Sequence, residues 1–318
     1  MRYETVSTLR CYAGAQSYCL DVDQVVGIER GAQLSPNAND DGPVGWIATR
    51  GRKIPVYSLV ERLGCGARSR EVGAILVMNS ADPWGLAVDR LSRFQRSLAS
   101  SPDPVPPTIG PISGSFFRGV TVEEGTPILH LCPERLHPNA PPLRVAPVPP
   151  PRIEDNADGA DKASPGRLLL FSPPNPVPPG ILPAGRSGLW FALSYSQVLE
   201  IVSGVGCLPV PSAPPDVLGL IAWRRRAVPV VDAGRLFGLS PVDFAATHRL
   251  LIAHSPIWRM PVAIPAGADM QTRVLPMQHR PCDLPLDLNR ARGVFEIGER
   301  QFVVLPDINA IAGGSLGN

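Results

Sequence analysis

The sequence predicts an all-β chain built from two tandem copies of one domain, with few and short helices. Three observations lead there. Thirty-eight of the 318 residues are proline, and an interior proline costs a helix a hydrogen bond and a steric clash with the preceding turn. The apolar runs, such as "VVGI", "KIPVYSL", "AILVM", "GLAVDRL" and "TPILHL", are short, β-branched and separated by Gly, Pro, Asp or Asn, the pattern of strands joined by tight turns. Finally, "VGWIATRGRKIPVYSLVERLG" (44–64) is matched without a gap by "LGLIAWRRRAVPVVDAGRLFG" (218–238), with Gly45/Gly219, Ile47/Ile221, Ala48/Ala222, Arg50/Arg224, Arg52/Arg226, Pro55/Pro229, Val56/Val230 and Gly64/Gly238 identical.

The repeat extends in both directions. Upstream, "YCLDVDQVVGIERG" (18–31) matches "FALSYSQVLEIVSG" (191–204). Downstream, 74–80 is read against 250–256, 85–88 against 261–264, and "RGVTVEEGTPILHL" (118–131) against "RGVFEIGERQFVVL" (292–305). Four blocks in one order mean duplication of a whole domain. The first copy is set at 1–137 and the second at 167–318. Between them, 138–166 is proline-dense and then acidic, a composition that buries little and reads as a flexible linker. Pro55 and Pro229 fall inside strand patterns, so these strands are expected at a sheet edge or to begin at the proline. Short helices are expected at "SLVERLG" and "DAGRLFG", each stopped by glycine. "LLLF" and "LWFAL" are expected to pair as a hairpin, with the proline-rich insertion 172–188 projecting between them as a surface loop.

Composition excludes several functions. Net charge is +2 and charged residues are 18%, no field for wrapping nucleic acid. No apolar run reaches the length of a membrane span, and "MRYETVSTLRCYAG" has no signal-peptide core, so the chain is read as soluble and cytoplasmic, without membrane insertion. Six cysteines, at 11, 19, 65, 132, 207 and 282, have no metal-ligand spacing and are expected to be small buried hydrophobes. No cofactor is expected. Neither a P-loop nor a G-x-S-x-G elbow is present, and the histidines at 130, 137, 248, 254 and 279 are scattered. One enzyme reading has residues behind it: "VVDAG" (230–234) resembles the active-site turn of an aspartic protease. That chemistry needs two aspartates sharing a proton, and the first copy has Ser58 where the second has Asp232. The plainer reading is an aspartate capping the short helix after it.

The repeated basic tip carries more. "TRGRK" (49–53) and "WRRRA" (223–227) connect two strands in each copy. Gly51 suits a turn with positive φ, so Arg225 at the matching place predicts a different turn in copy two. Without an aromatic platform these arginines fit a protein interface, where forked donors are favoured, better than nucleic acid.

These blocks resemble CheW-like domains: "h-x-G-h-I-x-x-R-G-x-h-h-P-V-h-x-L" (h, apolar), the strand "Y-x-L-x-V-x-x-V-x-x-I" before it, "I-L-V" and "G-L-x-V-D-R-L" after it, and a closing strand pair. The likeness spans about 7–136 and 167–312. The resemblance implies two small SH3-like five-stranded β-barrels per domain with an apolar groove between them, and no catalysis. It implies an adaptor joining chemoreceptor tips to the regulatory domain of a CheA-type histidine kinase, and possibly to other CheW-like proteins. By motif match the receptor-facing residues are Arg50, Gly51, Arg224 and Arg225. The kinase-facing strand carries Gln24, Val25, Gln197, Val198 and Glu200, with Gly27 opposite Glu200 in the repeat. Copy one keeps "RG" and "VDR" (88–90); copy two keeps Asp232 and Glu200 but reads "RR" and "IPA" (264–266). Either the copies are specialised, one for receptor and one for kinase, or copy two is degenerate. An array-positioning or regulatory protein on the same fold is the alternative to an adaptor.

Overall fold

The computed structural model describes residues 6–37, 42–66, 72–92, 95–97, 101–141, 167–182, 188–244, 249–274, 284, 286–297 and 301–313. The described residues are mostly strand. The chain divides into two compact units, Met1–Val105 with Pro111–Val145, and Pro106–Gly110 with Ala146–Asn318. In the second unit Ile109 is fully buried and Thr108 donates to Ala312 O at 2.7 Å.

Unit 1 contains β1 (Val6–Ala13), β2 (Gln16–Asp21), β3 (Val25–Glu29), β4 (Ser35–Pro36), β5 (Gly45–Thr49), β6 (Arg52–Ser58), β7 (Ala74–Met78), β8 (Gly85–Val88), β9 (Arg90–Leu91), β10 (Gln95–Ser97), β11 (Phe117–Glu123) and β12 (Thr126–Leu131). Its helices are α1 (Leu59–Leu63), α2 (Pro111–Ser115) and α3 (Pro133–Leu136). One sheet runs β10-β1-β2-β12-β11 with β9 also on β1, the other β3-β7-β8-β6-β5-β4.

Unit 2 contains β13 (Arg167–Phe171), β14 (Gly188–Ser194), β15 (Val198–Val202), β16 (Val217–Trp223), β17 (Arg226–Val231), β18 (Arg249–Ser255), β19 (Met260–Ala266), β20 (Met270–Val274), β21 (Ala291–Ile297) and β22 (Gln301–Pro306), with α4 (Ala233–Leu236) and α5 (Ile308–Ala312). Its sheets run β20-β13-β14-β22-β21 and β15-β18-β19-β17-β16. The two units thus share one topology, including parallel β2–β12 and β14–β22 pairs and parallel β6–β8 and β17–β19 pairs. Each sheet is an open path of neighbours rather than a closed ring.

Three apolar clusters in unit 2 explain the arrangement. One, including Phe171, Phe191, Phe237, Leu251, Ile264 and Ile308, takes residues from both sheets and both helices. Ile221, Val228, Val230 and Ile252 form a second, and Leu168, Leu170, Phe295 and Val303 a third. A buried Phe or Leu contributes about 1.5–3 kcal/mol, so these clusters are the main reason the short strands hold.

The expected helices form as α1 and α4. Ser58 and Asp232 cap their first turns, and Gly64 and Gly238 adopt φ of 66° and 80° at their ends. β13 and β14 pair antiparallel as expected. Three expectations need correction. Pro55 and Pro229 lie inside interior strands. The ladder to β8 starts at Val56 and that to β19 at Val230, so each proline sits where its strand has a laddered neighbour on one side and its missing N–H costs nothing. The insertion does not simply project: Val177, Ile181 and Leu182 pack on the main core of unit 2; residues 183–187 lie outside the described ones. Cys11 and Cys19 are buried, but Cys65 is exposed and Cys132 and Cys207 are half-buried, because strand ends and turns rather than residue type set their depth. Cys282, His248 and His279 lie outside the described residues, as does 142–166 of the linker.

The repeat register also changes. Ladder partners place Ile75 with Leu250 and Gly85 with Ala263. "VDR" therefore corresponds to Ala266–Gly267–Ala268, not to 264–266. Thr121 and Phe295 correspond as expected, but Ile128 corresponds to Val303. Three residues separate Ile297 from Gln301 where two separate Glu123 from Thr126, and a one-residue slip exchanges the faces of a strand.

Candidate functional site

The two arginine tips are two-residue hairpin turns, closed by the pairs Thr49↔Arg52 and Trp223↔Arg226. Both central residues have positive φ in each: Arg50 49° and Gly51 75°, Arg224 48° and Arg225 63°. This is the turn whose twist matches that of the flanking strands. The expected difference between the tips is therefore absent: Arg225 takes the left-handed conformation glycine would take, at a cost of roughly 1–2 kcal/mol.

Each tip turns back onto the first strand of its sheet. Arg50 Nη2 donates to Val26 O at 2.9 Å, and beside it Thr49 Oγ1 donates to Glu29 Oε1 at 3.1 Å. In unit 2 Arg224 Nη2 donates to Glu200 Oε2 at 3.0 Å, and Trp223 Nε1 donates to the same oxygen at 2.9 Å. The Arg224 guanidinium also lies over the Trp223 ring, 4.5 Å from its centroid. The residues expected to face two different partners are thus adjacent: tip and strand form one surface in each unit.

That strand is an edge. β3 and β15 stand first in their sheets, each with a bulge, between Val25 and Gly27 and between Val198 and Glu200. Val25 and Val198, named from sequence, are half-buried, and Val198 packs on the core. Gln197 is half-buried just ahead of β15. Gln24 lies against Glu134 and Arg118: its amide nitrogen is 3.3 Å from Glu134 Oε1, and with the amide turned over its oxygen is 3.1 Å from Arg118 Nη1. Large apolar residues that were not singled out also face solvent on or just before these strands: Val26 (39% exposed), Leu199 (43%), Ile201 (47%) and Tyr195 (52%). Strand alternation alone separates Leu199 and Ile201 from Val198 and Val202. An edge strand with exposed aliphatics is a ready surface for another protein.

The Asp232 turn has another job. Asp232 Oδ1 accepts from Arg235 N (3.1 Å) and Oδ2 from Val242 N (2.8 Å), and the residue is 1% exposed. Burial pushes its carboxyl above the usual range against the pull of those amides. Oδ1 caps α4, as Ser58 caps α1, and Oδ2 ties down the segment after the helix at Val242.

A family model described as "CheW-like domain" matches residues 7–139 and again 185–314. Over 117 residues the chain is 25% identical to "Probable chemotaxis protein CheW" of Rhizobium etli, covering 36% of this chain and 76% of that protein. The crystal structure of scaffolding protein TtCheW from Thermoanaerobacter tengcongensis aligns with 22% identity and a TM-score of 0.37, covering 41% of this chain and 90% of that one. No helix among the described residues is long and apolar enough to cross a membrane.

Proposed function

Because the chain belongs to the CheW-like domain family and carries that domain twice, we propose that it is a non-enzymatic adaptor of a bacterial chemosensory array. It couples the cytoplasmic tips of chemoreceptors to the regulatory domain of a CheA-type histidine kinase by protein–protein contacts. It would act in the cytoplasm, at membrane-associated receptor arrays. The observation that carries this reading is the surface made by an arginine tip against an edge strand, present once in each unit. An exposed aliphatic strand supplies burial, and the adjacent guanidinium fixes orientation. Two such surfaces on one chain raise the effective concentration of the second partner once the first has bound.

The two surfaces differ. In unit 2 Leu199 and Ile201 stand out on β15 with Tyr195 just before it, where unit 1 exposes Val26. In unit 1 Arg50 is held, among the described residues, through a backbone carbonyl, whereas Arg224 is ion-paired with Glu200. Unit 1 therefore suits an acidic receptor hairpin and unit 2 an apolar kinase or adaptor surface. Co-sedimentation of the intact chain with a receptor cytoplasmic fragment and the kinase tests both statements. The adaptor reading expects a ternary complex, with Arg50→Ala releasing the receptor and Arg224→Ala leaving it bound. Equal loss of receptor from both variants would remove the division of labour, and no complex with wild type would remove the adaptor.

A further inference from the structure

Unit 1 has a cleft of about 320 Å³ whose lining includes Met78, Asp82, Trp84, Glu134, His137 and Ala140. It opens where the β7–β8 turn meets the C-terminal end of α3. The duplication supplies a template for this place. Cys132 and Asp307 are the N-cap residues of α3 and α5, and the paired ladders of β12 and β22 lead into them in the same register. Glu134 thus corresponds to Asn309, His137 to Ala312 and Pro138 to Gly313.

In unit 2 this position is taken by an indole. The β18–β19 ladder runs out to Ser255↔Met260, and the turn beyond it lays Trp258 across the end of α5. Trp258 Nε1 donates to Asn309 O at 2.9 Å, and Gly313 N donates to the same oxygen at 3.1 Å. A Cβ on Gly313 would lie 2.8 Å from the Trp258 ring, so the glycine leaves room for the indole. Trp258 N is in turn held by Ser255 Oγ at 3.2 Å.

Unit 1 has the surroundings without the plug. Its β7–β8 ladder ends at Val77↔Gly85, extended by the bond from Met78 N to Trp84 O at 2.9 Å. The shorter connection lines the cleft with Asn79, Ser80, Ala81 and Asp82 but carries no aromatic side chain. Trp84 is 2% exposed and closes the inner side of the cleft, its ring edge-on to His137 at 5.4 Å between centroids. The helix end differs in one further respect. Pro138 has no N–H, so Glu134 O lacks the backbone donor that Gly313 gives Asn309. The end carbonyls of a helix need partners from outside the helix.

We propose that this cleft in unit 1 is a docking site for an aromatic side chain bearing a terminal donor, tryptophan or tyrosine, presented by a partner's peptide segment. In unit 2 the chain's own Trp258 performs the equivalent function permanently. The aromatic edge of Trp84 and the apolar walls suit a ring, and Glu134 O and the Asp82 carboxylate are acceptors for its N–H or O–H. The site is separate from the arginine tips and stands independently of which partners those tips engage.

The test titrates N-acetyltryptophanamide into the full-length protein and follows the indole N–H signals and backbone amides by heteronuclear NMR. The expected result is saturable shifts at Trp84, His137 and Ala140, with a dissociation constant on the order of 1 mM. N-acetylphenylalaninamide, which lacks the donor, is expected to bind about fivefold more weakly, the worth of one ordinary hydrogen bond. Trp258→Ala is expected to create a second site of the same kind in unit 2, doubling the stoichiometry. If that variant does not fold, the wild-type titration decides alone. Absence of saturable shifts around Trp84 would overturn the proposal. So would equal shifts from N-acetylargininamide, which would make the cleft a cation site formed by Asp82 and Glu134.

Discussion

The same sheet has been filled in two opposite ways within one chain. In unit 2 Leu168, Leu170, Ala192, Phe295 and Val303 make an apolar cluster, with Ile297 and Leu305 packed against it. The positions that correspond in unit 1 are Thr8, Arg10, Cys19, Thr121 and Ile128, with Glu123 and His130. There Arg10 is ion-paired with Glu123, and Thr121 Oγ1 lies 3.0 Å from His130 Nε2. Thr8, Cys19 and His130 are buried to 7%, 1% and 7% exposure. The strand order tolerates either filling, because buried polar groups are costly only when unpaired. The pairing makes unit 1 more specific and more fragile: losing one partner strands the other, whereas a lost methyl in unit 2 leaves only a void.

The largest effect is expected at the apolar end of the comparison. Leu170 is fully buried, and Leu170→Ala should cost about 2–5 kcal/mol, read as an early melting step by calorimetry. Arg10→Leu comes next. With the two side chains 20% and 31% exposed, stranding Glu123 should cost about 2–3 kcal/mol, less than a fully buried pair would. Adding Glu123→Ile, which installs the residues of unit 2, should recover that loss or exceed it; a double variant as unstable as the single would contradict the account.

Acid should separate the units more gently. Burial holds His130 below its ordinary value of 6.5, outweighing the upward pull of Asp21 and Glu123, and Arg10 adds slightly to the depression. Below pH 6.5 the unfolded chain then binds the proton more readily than the folded one, so stability falls as pH drops from 6.5 toward the folded value and is retained above it. Leu305 gives unit 2 no such slope. The midpoint of unit 1 should fall with acidification over that window, and His130→Gln should flatten the fall. The smallest effect is at the tip: Arg225→Gly relieves a left-handed arginine and should raise stability by about 1 kcal/mol, measured as a rise in melting temperature.

Much of this was legible in the sequence. Repetition of "G-h-I-A" and "h-P-V" around an arginine tip predicted the β5–β6 and β16–β17 hairpins, and apolar spacing before the glycine stops at Gly64 and Gly238 predicted both short helices. The polar filling of unit 1 was not legible, because a constant offset carried through a turn one residue longer set His130 against Val304 instead of Leu305. Strand faces have period two, so a single such residue inverts the reading. The exposed pair Leu199 and Ile201 was legible too: the burial of β15 alternates residue by residue through the bulge at Val198/Glu200, so period two alone sets them on the outer face. Arg225 misled in the other direction, since a penalty near 1 kcal/mol is too small to force a different turn.

The account rests on the claim that the edge strands with their arginine tips are the binding surfaces, and that β15 is the apolar one. The direct measurement is the affinity of the kinase regulatory domain for the full-length chain carrying Leu199→Asp with Ile201→Asp, compared with Val26→Asp. All three substitutions sit at exposed positions, so the fold should survive, which circular dichroism would verify. The prediction is at least a tenfold loss of affinity, about 1.4 kcal/mol, for the β15 variant and a smaller change for Val26→Asp. Undiminished kinase binding by the β15 variant would contradict it.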